Sequence, residues 1–190
     1  ALYRAKRTRG EIEVYRPEID EHTVLRLNLL GDLHKAVDNE EFEMLFQPQV
    51  GGPHGQVVAV EALMRWRHPD YGVISPEIFI PLAENTGLIG PMSKRALESA
   101  LYTLSLLRTA GHDLEMAVNV SARLLSDLEL PRWIARALLV TKVPPSRLTI
   151  EVTESTITAD PTRAMQVLHE LREIGVRLSV DDFGTGYSSL

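Results

Sequence analysis

The 190-residue sequence has no cysteine, which excludes disulfide bonds and thiolate metal sites. It has no apolar run near the roughly 18 to 20 residues that a membrane-spanning helix needs, and its first residues lack the pattern of a signal peptide. A formal net charge of −6 disfavours binding to DNA or RNA polymers, because such binding requires clustered basic residues. These absences predict a cytoplasmic location, no direct membrane insertion and no nucleic-acid polymer as a partner.

The composition is that of an ordinary globular domain. Hydrophobic residues make up 44% and charged residues 24% of the chain, which is long enough for one sizeable core. The first twenty residues contain a short basic helical pattern, a glycine and the extended stretch "IEVYRP", which is too little for a core of their own. We therefore expect residues 1–20 to be the end of a preceding domain with its linker, and residues 21–190 to form the main domain.

Short apolar runs alternate with longer helical patterns along the main domain. Helices are predicted at residues 22–41 and 92–110, and after the cap-proline pairs Ser75-Pro76 and Asp160-Pro161. The runs with strand character are "FEMLFQPQV", "VVAVEALMRW", "LEMAVNVSA", "LTIEVTES" and "VRLSVDDFG". The last three recur at intervals of about 30 residues, the length of a strand, a crossover helix and the next parallel strand. This spacing predicts an α/β protein with a parallel sheet.

One side of the predicted strands is polar. Successive side chains of a strand point to opposite faces, and one parity is apolar and expected to meet the helices. The other parity carries a carboxylate or amide near the C-terminal end of each of five strands: Gln47, Glu61, Asn119, Glu151 and Asp181. For a single strand this pattern also fits the wet face of a half-exposed sheet. In a barrel of parallel strands the same residues would line the mouth, where barrel enzymes hold their active sites.

Crowded carboxylates predict a bound cation, because unpaired acids repel one another and are costly to bury. Ligands that offer only oxygen favour Mg²⁺ or Mn²⁺ over zinc, with Ca²⁺ as an alternative in a roomy site. The adjacent Asp181 and Asp182 can bridge two ions, and two metals about 3.5–4 Å apart support the attack of water on a phosphodiester. A lone asparagine in a strand is more often structural, so Asn119 by itself is a weak candidate.

Several ordered motifs resemble one family. The stretches "EALMRWRHPDYGVISPEIFIPLAENTGLI", "VNVSA", "LTIEVTES" and "SVDDFGTGYSSL" are similar to the signature segments of EAL domains, bacterial phosphodiesterases that linearise cyclic di-GMP. The resemblance covers roughly residues 29–190 and implies a TIM-like (β/α)8 barrel of EAL type. The first ten residues, "ALYRAKRTRG", are similar to the last helix of a GGDEF domain, the diguanylate cyclase module that commonly precedes EAL domains.

The resemblance implies roles for individual residues. Five side chains would hold two metal ions, either Mg²⁺ or Mn²⁺: Glu61, Asn119, Glu151, Asp181 and Asp182. The catalytic residues would be Glu61, Asp181, Asp182 and Glu154. Glu154 would brace the loop that starts at Phe183, and Ca²⁺ is a candidate inhibitor. Three residues would contact the dinucleotide, with the arginine on a phosphate oxygen: Gln47, Leu63 and Arg65.

These features predict a metal-dependent phosphodiesterase that hydrolyses cyclic di-GMP to the linear dinucleotide in bacterial second-messenger signalling, as a homodimer next to an N-terminal GGDEF domain. The alternative is a catalytically inactive receptor for cyclic di-GMP, against which the intact metal-binding side chains weigh. A barrel of this kind usually takes about 250 residues, and the family has further strands, with a lysine and a glutamate, beyond position 190. We therefore expect a barrel that is incomplete at its C-terminus, and an inactive fragment is the third interpretation.

Overall fold

The computed structural model describes residues 17–39 and 41–181. The first elements are helix α1 (Pro17–Asp38), strands β1 (Phe42–Gly51), β2 (Gln56–His68) and β3 (Gly72–Ile74), and helices α2 (Pro76–Thr86) and α3 (Ile89–Thr109). Strand β4 (Glu115–Asn119) precedes helices α4 (Ala122–Leu125) and α5 (Leu130–Thr141). A 3-10 turn (Pro145–Arg147) leads to β5 (Leu148–Thr153), α6 (Glu154–Ala159), α7 (Pro161–Ile174) and β6 (Arg177–Asp181).

The helices begin close to where the sequence predicts them. Helices α2 and α7 start directly after Ser75 and Asp160, and the Asp160 carboxylate accepts a hydrogen bond from the Arg163 backbone N–H at 3.3 Å. Helix α1 begins earlier than predicted, at Pro17, because proline suits the first turn of a helix. None of the helices in the described ranges is long and apolar enough to cross a membrane. The predicted GGDEF remnant falls mainly on residues 1–16, outside those ranges, and stays a prediction.

Six strands form one sheet in the order β1-β2-β4-β5-β6, with β3 paired to β2. Strands β2, β4, β5 and β6 are parallel, as predicted. Strand β1 is antiparallel to β2, so the expectation of a fully parallel sheet is wrong there. The four residues between them make a hairpin with positive φ at Gly52 and Gly55, whereas a parallel crossover needs about a dozen or more residues. Gln47 therefore lies in mid-strand opposite Glu61, not at a C-terminal strand end.

Helices α3, α5 and α7 cover the apolar face of the parallel strands. The strand residues at the centre of this core are at most 2% exposed: Met116, Val118, Leu148, Ile150 and Val152. The prediction that the whole apolar parity meets helices is wrong for Val58, Leu178 and Val180, which are 46%, 38% and 47% exposed. Val58 lies at the hairpin end of β2, and β6 is the last strand of the described sheet, with no further strand beyond it in the described residues.

A second hydrophobic cluster joins α1 to the hairpin and to α2. Leu29, Trp66 and Phe79 are all fully buried in it. The ring centroids of Trp66 and Phe79 are 6.2 Å apart, and the indole Nε1 donates to Glu41 Oε2 at 3.0 Å. Because Trp66 directly follows Arg65, this cluster fixes the part of β2 that carries the predicted dinucleotide contacts.

Charged residues link the N-terminal ends of the parallel strands, at the edge of the sheet away from the predicted site. Glu115, at the start of β4, contacts Arg177 at 2.5 Å and Arg147 at 3.6 Å. Arg147 also forms an ion pair with Asp113. Each pair is accessible to solvent, so its contribution to stability is small, about 0–1 kcal/mol. The network joins β4 and β6 to the 3-10 turn before β5, without touching the polar positions at the other ends of the strands.

Candidate active site

Glu61 and Asn119 meet across neighbouring strands. Strands β2 and β4 run parallel with Glu61 beside Ala117, so Asn119 lies two residues further along on the same face. The Asn119 amide Nδ2 donates to Glu61 Oε1 at 2.9 Å. This hydrogen bond orients the amide and leaves Oδ1, the atom that a metal ion would bind, outside the contact.

Glu151 continues the polar face onto β5. It is paired in register with Asn119, and its backbone carbonyl accepts from the Val120 N–H at 2.9 Å. Along β5 buried residues alternate with half-buried ones, and Glu151 is half-buried between buried Ile150 and Val152. The register and the alternation together confirm that Glu61, Asn119 and Glu151 share one face of the sheet.

Strand β6 brings residue 181 to the same end of the sheet. Ser179 is paired with Glu151, and residue 181 is two positions further on, opposite Thr153. The side chain of Asp181 and the whole of Asp182 lie outside the described part of the chain, so their roles as metal ligands stay predictions.

The predicted ligand positions are staggered along the strands. Glu61 lies two residues below Asn119 and Glu151 in the register, and residue 181 lies two residues above them. The strands of a barrel are tilted relative to the barrel axis. Because of this tilt, residues that are offset in the register of neighbouring strands can lie at the same height along the axis. The side chain of Asn119 spans the first step through its hydrogen bond to Glu61.

A cavity of about 320 Å³ opens beside these residues, bordered by β2, β4 and helices α2 and α3. Three of the predicted site residues line it: Leu63, Arg65 and Asn119. Its volume falls within the roughly 300–1,000 Å³ of small-molecule pockets. Arg65 is half-buried, and its Nη1 donates to the carbonyl of Met64 at 2.9 Å, which restrains the guanidinium at the cavity wall. Gln47 is exposed beside Glu61 on β1 and lies outside this lining.

Sequence reasoning missed several polar groups of the cavity. Glu84, Ser121, Thr153 and Thr156 also line it. The two threonine hydroxyls are 2.8 Å apart, and Thr153 Oγ1 accepts from the Thr156 N–H, which caps α6. The spacing of Glu84 and Ile80 is a signal in the sequence. They are four positions apart on α2, so they lie on the same face of the helix, and both line the cavity.

Glu154 is the first residue of α6 and follows the capping Thr153 directly. This places it at the carboxyl end of β5, next to the cavity-lining Thr153. The loop that it is expected to brace begins after β6, outside the described residues, so its role stays a prediction.

Two ion pairs near the hairpin, away from the cavity, shift the pKa of one partner each. A hydrogen bond from Lys35 holds the pKa of Asp32 below its usual value, with a smaller contribution from His68. A hydrogen bond to Glu43, at 2.7 Å, raises the pKa of Arg67. Both pairs are exposed, and they stabilise the charged forms of Asp32 and Arg67.

Comparison with known proteins decides the family, because residues 30–190 match the EAL domain. The chain belongs to the EAL domain family. The bifunctional diguanylate cyclase/cyclic di-GMP phosphodiesterase MucR of Pseudomonas aeruginosa is 40% identical over 192 residues, which cover all of this chain and 28% of MucR. The cyclic di-GMP phosphodiesterase PdeR of Escherichia coli is 34% identical over 191 residues, again all of this chain and 29% of PdeR. The chain thus spans less than a third of these two relatives.

A solved EAL domain confirms the fold. The structure described as the PaMucR phosphodiesterase in complex with c-di-GMP is 42% identical, with a TM-score of 0.79 over 85% of this chain and 66% of that one. The six-stranded sheet and its helices therefore form part of a TIM-like barrel of EAL type.

The described side chains of this EAL domain supply only part of a candidate metal site. Within them, no group of three histidine, cysteine, aspartate or glutamate residues could hold a metal ion. That set excludes the side chains of Asp181 and Asp182, and Asn119 offers an amide oxygen instead of a carboxylate. Glu61 and Asn119 in contact, with Glu151 in register, offer carboxylate and amide oxygens, the kind of ligand atom that Mg²⁺ and Mn²⁺ prefer.

Proposed function

We propose that this chain is a cyclic di-GMP phosphodiesterase domain that hydrolyses one ester bond to give the linear dinucleotide in bacterial second-messenger signalling. The observation that carries the proposal is the hydrogen-bonded pair of Glu61 and Asn119 beside Glu151, next to a ligand-sized cavity, in an EAL domain. The printed names of MucR and PdeR, and the c-di-GMP complex of the MucR domain, support the same substrate and reaction.

Two divalent ions, Mg²⁺ or Mn²⁺, are part of the proposal. Glu61, Asn119, Glu151 and Asp181 would bind the first ion, and Asp181 with Asp182 the second. When bound, the ions would lower the pKa of a water molecule so that it becomes the nucleophile. The hydrogen bond from Asn119 fixes the direction of the Glu61 carboxylate before any ion binds, so one ligand pair is preorganised.

The protein's own side chains would orient the dinucleotide. Arg65 is held at the cavity wall and would donate to a phosphate oxygen as a permanent cation. Leu63 lines the same cavity and offers an apolar surface for a base. The exposed amide of Gln47 would reach the ligand from β1, and Glu154 would hold the loop after β6 over the site.

The wider setting of the domain is also proposed. We infer a homodimer, an N-terminal GGDEF domain in the same protein and a cytoplasmic location, where cyclic di-GMP acts. The "ALYRAKRTRG" segment and the bifunctional name of MucR support the GGDEF domain, and the absence of cysteine fits the location. The homodimer rests on the resemblance to EAL domains alone.

The test is hydrolysis of cyclic di-GMP by the purified protein with Mg²⁺ or Mn²⁺, followed by chromatography for the linear dinucleotide. Glu61→Gln should reduce turnover by more than about a hundredfold, because even indirect partners of a metal site cost 10- to 100-fold when lost. Glu173→Gln, at an exposed position on α7, is the matched control and should leave turnover unchanged. Full activity of the Glu61→Gln variant would refute the metal assignment.

A receptor function is the alternative outcome of the same assay. Tight binding of cyclic di-GMP without turnover, with either ion, would show that the cavity works as a sensor. In that case Glu61→Gln would leave dinucleotide affinity in the absence of metal unchanged, whereas Arg65→Gln would lower it.

A further inference from the structure

Helix α5 has an outward face that is both basic and apolar. Arg132, Arg136, Leu139 and Val140 follow one another at the spacing i, i+4, i+7 and i+8, which places them on one side of the helix. All four are exposed, whereas the opposite side of α5 is buried in the first hydrophobic cluster. Because α5 packs against both α3 and α7, this stripe belongs to the outer surface of the domain.

Two large apolar side chains are adjacent on this face. Leu139 is 80% and Val140 is 73% exposed, more than any other large apolar side chain that the structure describes. Single exposed apolar residues are common on protein surfaces and need no explanation. An adjoining pair flanked by basic residues, however, is the composition of a helix that lies at a membrane surface.

The charge around this pair is positive. Residues 130–150 include four basic residues and no aspartate or glutamate, although the whole chain has a net charge of −6. Arg132 forms an ion pair with the exposed Glu129 at 3.3 Å. Arg136 and Lys142 form no ion pair with any residue in the described ranges. The neighbouring helix α7 contains two arginines and two glutamates, so it does not cancel the positive charge of α5.

Lys142 ends α5 in a backbone conformation that is unfavourable for lysine. Its φ is 57°, and its N–H donates to the carbonyl of Leu138. Helices α2 and α7 end in the same left-handed conformation at glycines, Gly87 and Gly175. Glycine adopts this conformation without steric cost, whereas a residue with a Cβ atom does not. A lysine therefore lowers stability at this position, which points to a use for its charge.

We propose that α5 binds the surface of an anionic lipid bilayer. Its basic side chains, together with Lys142, contact the headgroup phosphates, and Leu139 and Val140 reach the boundary between headgroups and acyl chains. The helix lies on the bilayer without spanning it. An acidic protein would need a shaped recess for the two apolar side chains, whereas lipid headgroups adapt to a convex surface. The net negative charge of the chain is repelled by such a bilayer, which turns this face towards it.

Binding through α5 leaves the candidate active site open. Strand β4 ends at Asn119, which lines the cavity, and the chain returns along α5 to the start of β5 at Leu148. The C-terminal end of α5 therefore lies at the opposite edge of the sheet from the cavity. Because Leu139, Val140 and Lys142 are at that end, the lipid contact does not depend on the proposed function.

Flotation of the purified protein with lipid vesicles tests the assignment. We expect binding to vesicles of phosphatidylcholine mixed with an equal part of phosphatidylglycerol, weaker binding at high salt, and no binding to phosphatidylcholine alone. Each basic side chain near an anionic bilayer strengthens binding roughly fivefold. The triple variant Arg132→Gln/Arg136→Gln/Lys142→Gln should therefore lower the partition coefficient by about a hundredfold and leave the floated fraction.

A second triple variant is the matched control. Arg26→Gln/Lys35→Gln/Arg163→Gln removes the same number of positive charges from exposed positions outside α5. It should lower the partition coefficient by less than about fivefold, because charges that do not face the bilayer are screened by salt.

Two further variants separate lipid binding from folding and from charge. Lys142→Gly should raise the urea midpoint, because glycine suits the left-handed conformation, and yet weaken binding roughly fivefold. Leu139→Gln/Val140→Gln should weaken binding by at least about tenfold through the loss of apolar contact. Its control is Leu27→Gln/Val50→Gln, at positions that are 64% and 68% exposed elsewhere on the domain, which should bind as the unmodified protein does.

Four results would overturn the inference. The first is failure of the unmodified protein to bind the anionic vesicles. The second is an equal loss of binding in the two triple variants, which would mean general charge attraction. The third is unchanged binding of Leu139→Gln/Val140→Gln, which would show that the apolar pair does not reach the lipid. The fourth is a change from dimer to monomer in the α5 variants without vesicle binding, which would assign this face to a second copy of the chain. Hydrolysis of cyclic di-GMP is measured separately, so failure here leaves the proposed function standing.

Discussion

Phe79 is the side chain through which α2 is held against the strand that carries Arg65. It is fully buried, and its ring centroid lies 5.5 Å from that of Phe42 and 6.2 Å from that of Trp66. Phe79→Ala removes the ring from a closed aromatic cluster, and a buried Phe→Ala change costs about 3–5 kcal/mol. Because a domain of this size is stable by only about 5–15 kcal/mol, the variant should lose a large part of its stability. Phe79→Leu should lose less than half as much, since most of the volume remains filled.

Urea unfolding followed by far-UV circular dichroism measures this loss. The urea concentration at the midpoint should fall while the slope m stays constant. A constant m means that the variant is less stable but exposes the same amount of surface on unfolding. Tyr102→Ala is the control, because Tyr102 is 63% exposed and its loss should cost no more than about 0.5 kcal/mol. A loss of less than about 1 kcal/mol for Phe79→Ala would refute the argument that this cluster holds α2 in place.

Three further changes probe the fold away from the cavity. Glu115→Gln should lower the free energy of unfolding by roughly 0.5–1 kcal/mol, and by less at high salt, because it removes two screened ion pairs; denaturation at two salt concentrations measures this. Asp160→Ala should cost about 1 kcal/mol and speed hydrogen exchange in the first turn of α7, where the carboxylate caps the Arg163 N–H. Because Lys35 lowers the pKa of Asp32, Asp32 stabilises the fold above about pH 4 and loses this effect as pH falls through its folded pKa. Asp32→Asn should therefore reduce the pH dependence of the unfolding midpoint between neutral and acidic solution.

Much of the fold follows from local chemistry that the sequence displays. Helices α2 and α7 begin at their cap-proline pairs because capping and proline geometry act within one turn. The polar face of Glu61, Asn119 and Glu151 follows from the alternation of strand side chains, which depends only on the backbone. These three residues come from separate segments, yet parity alone puts them on one side of the sheet.

The parts that sequence reasoning missed depend on contacts between distant segments. The antiparallel direction of β1 does not depend on distant contacts. The short stretch "GGPHG" between two strand patterns is enough to predict a hairpin. The hydrogen bond between Asn119 and Glu61 depends on the lateral register of β2 and β4, which a single strand pattern does not encode. Likewise, the approach of Arg123 to Gly87 arises only when β4 and the α2–α3 corner are packed together.

The two hydrophobic clusters support different halves of the site, and this division is testable. The first cluster fixes the register of β4 and β5, and hence the side chains Asn119 and Glu151 that we propose as metal ligands. The second cluster, which contains Phe79, fixes α2 and the end of β2, and hence the cavity wall with Arg65. Phe79→Leu should therefore raise KM for cyclic di-GMP severalfold and leave the Mg²⁺ concentration for half-maximal activity unchanged. A parallel shift in both quantities would mean that the clusters act as one unit and that metal and dinucleotide sites are not held independently.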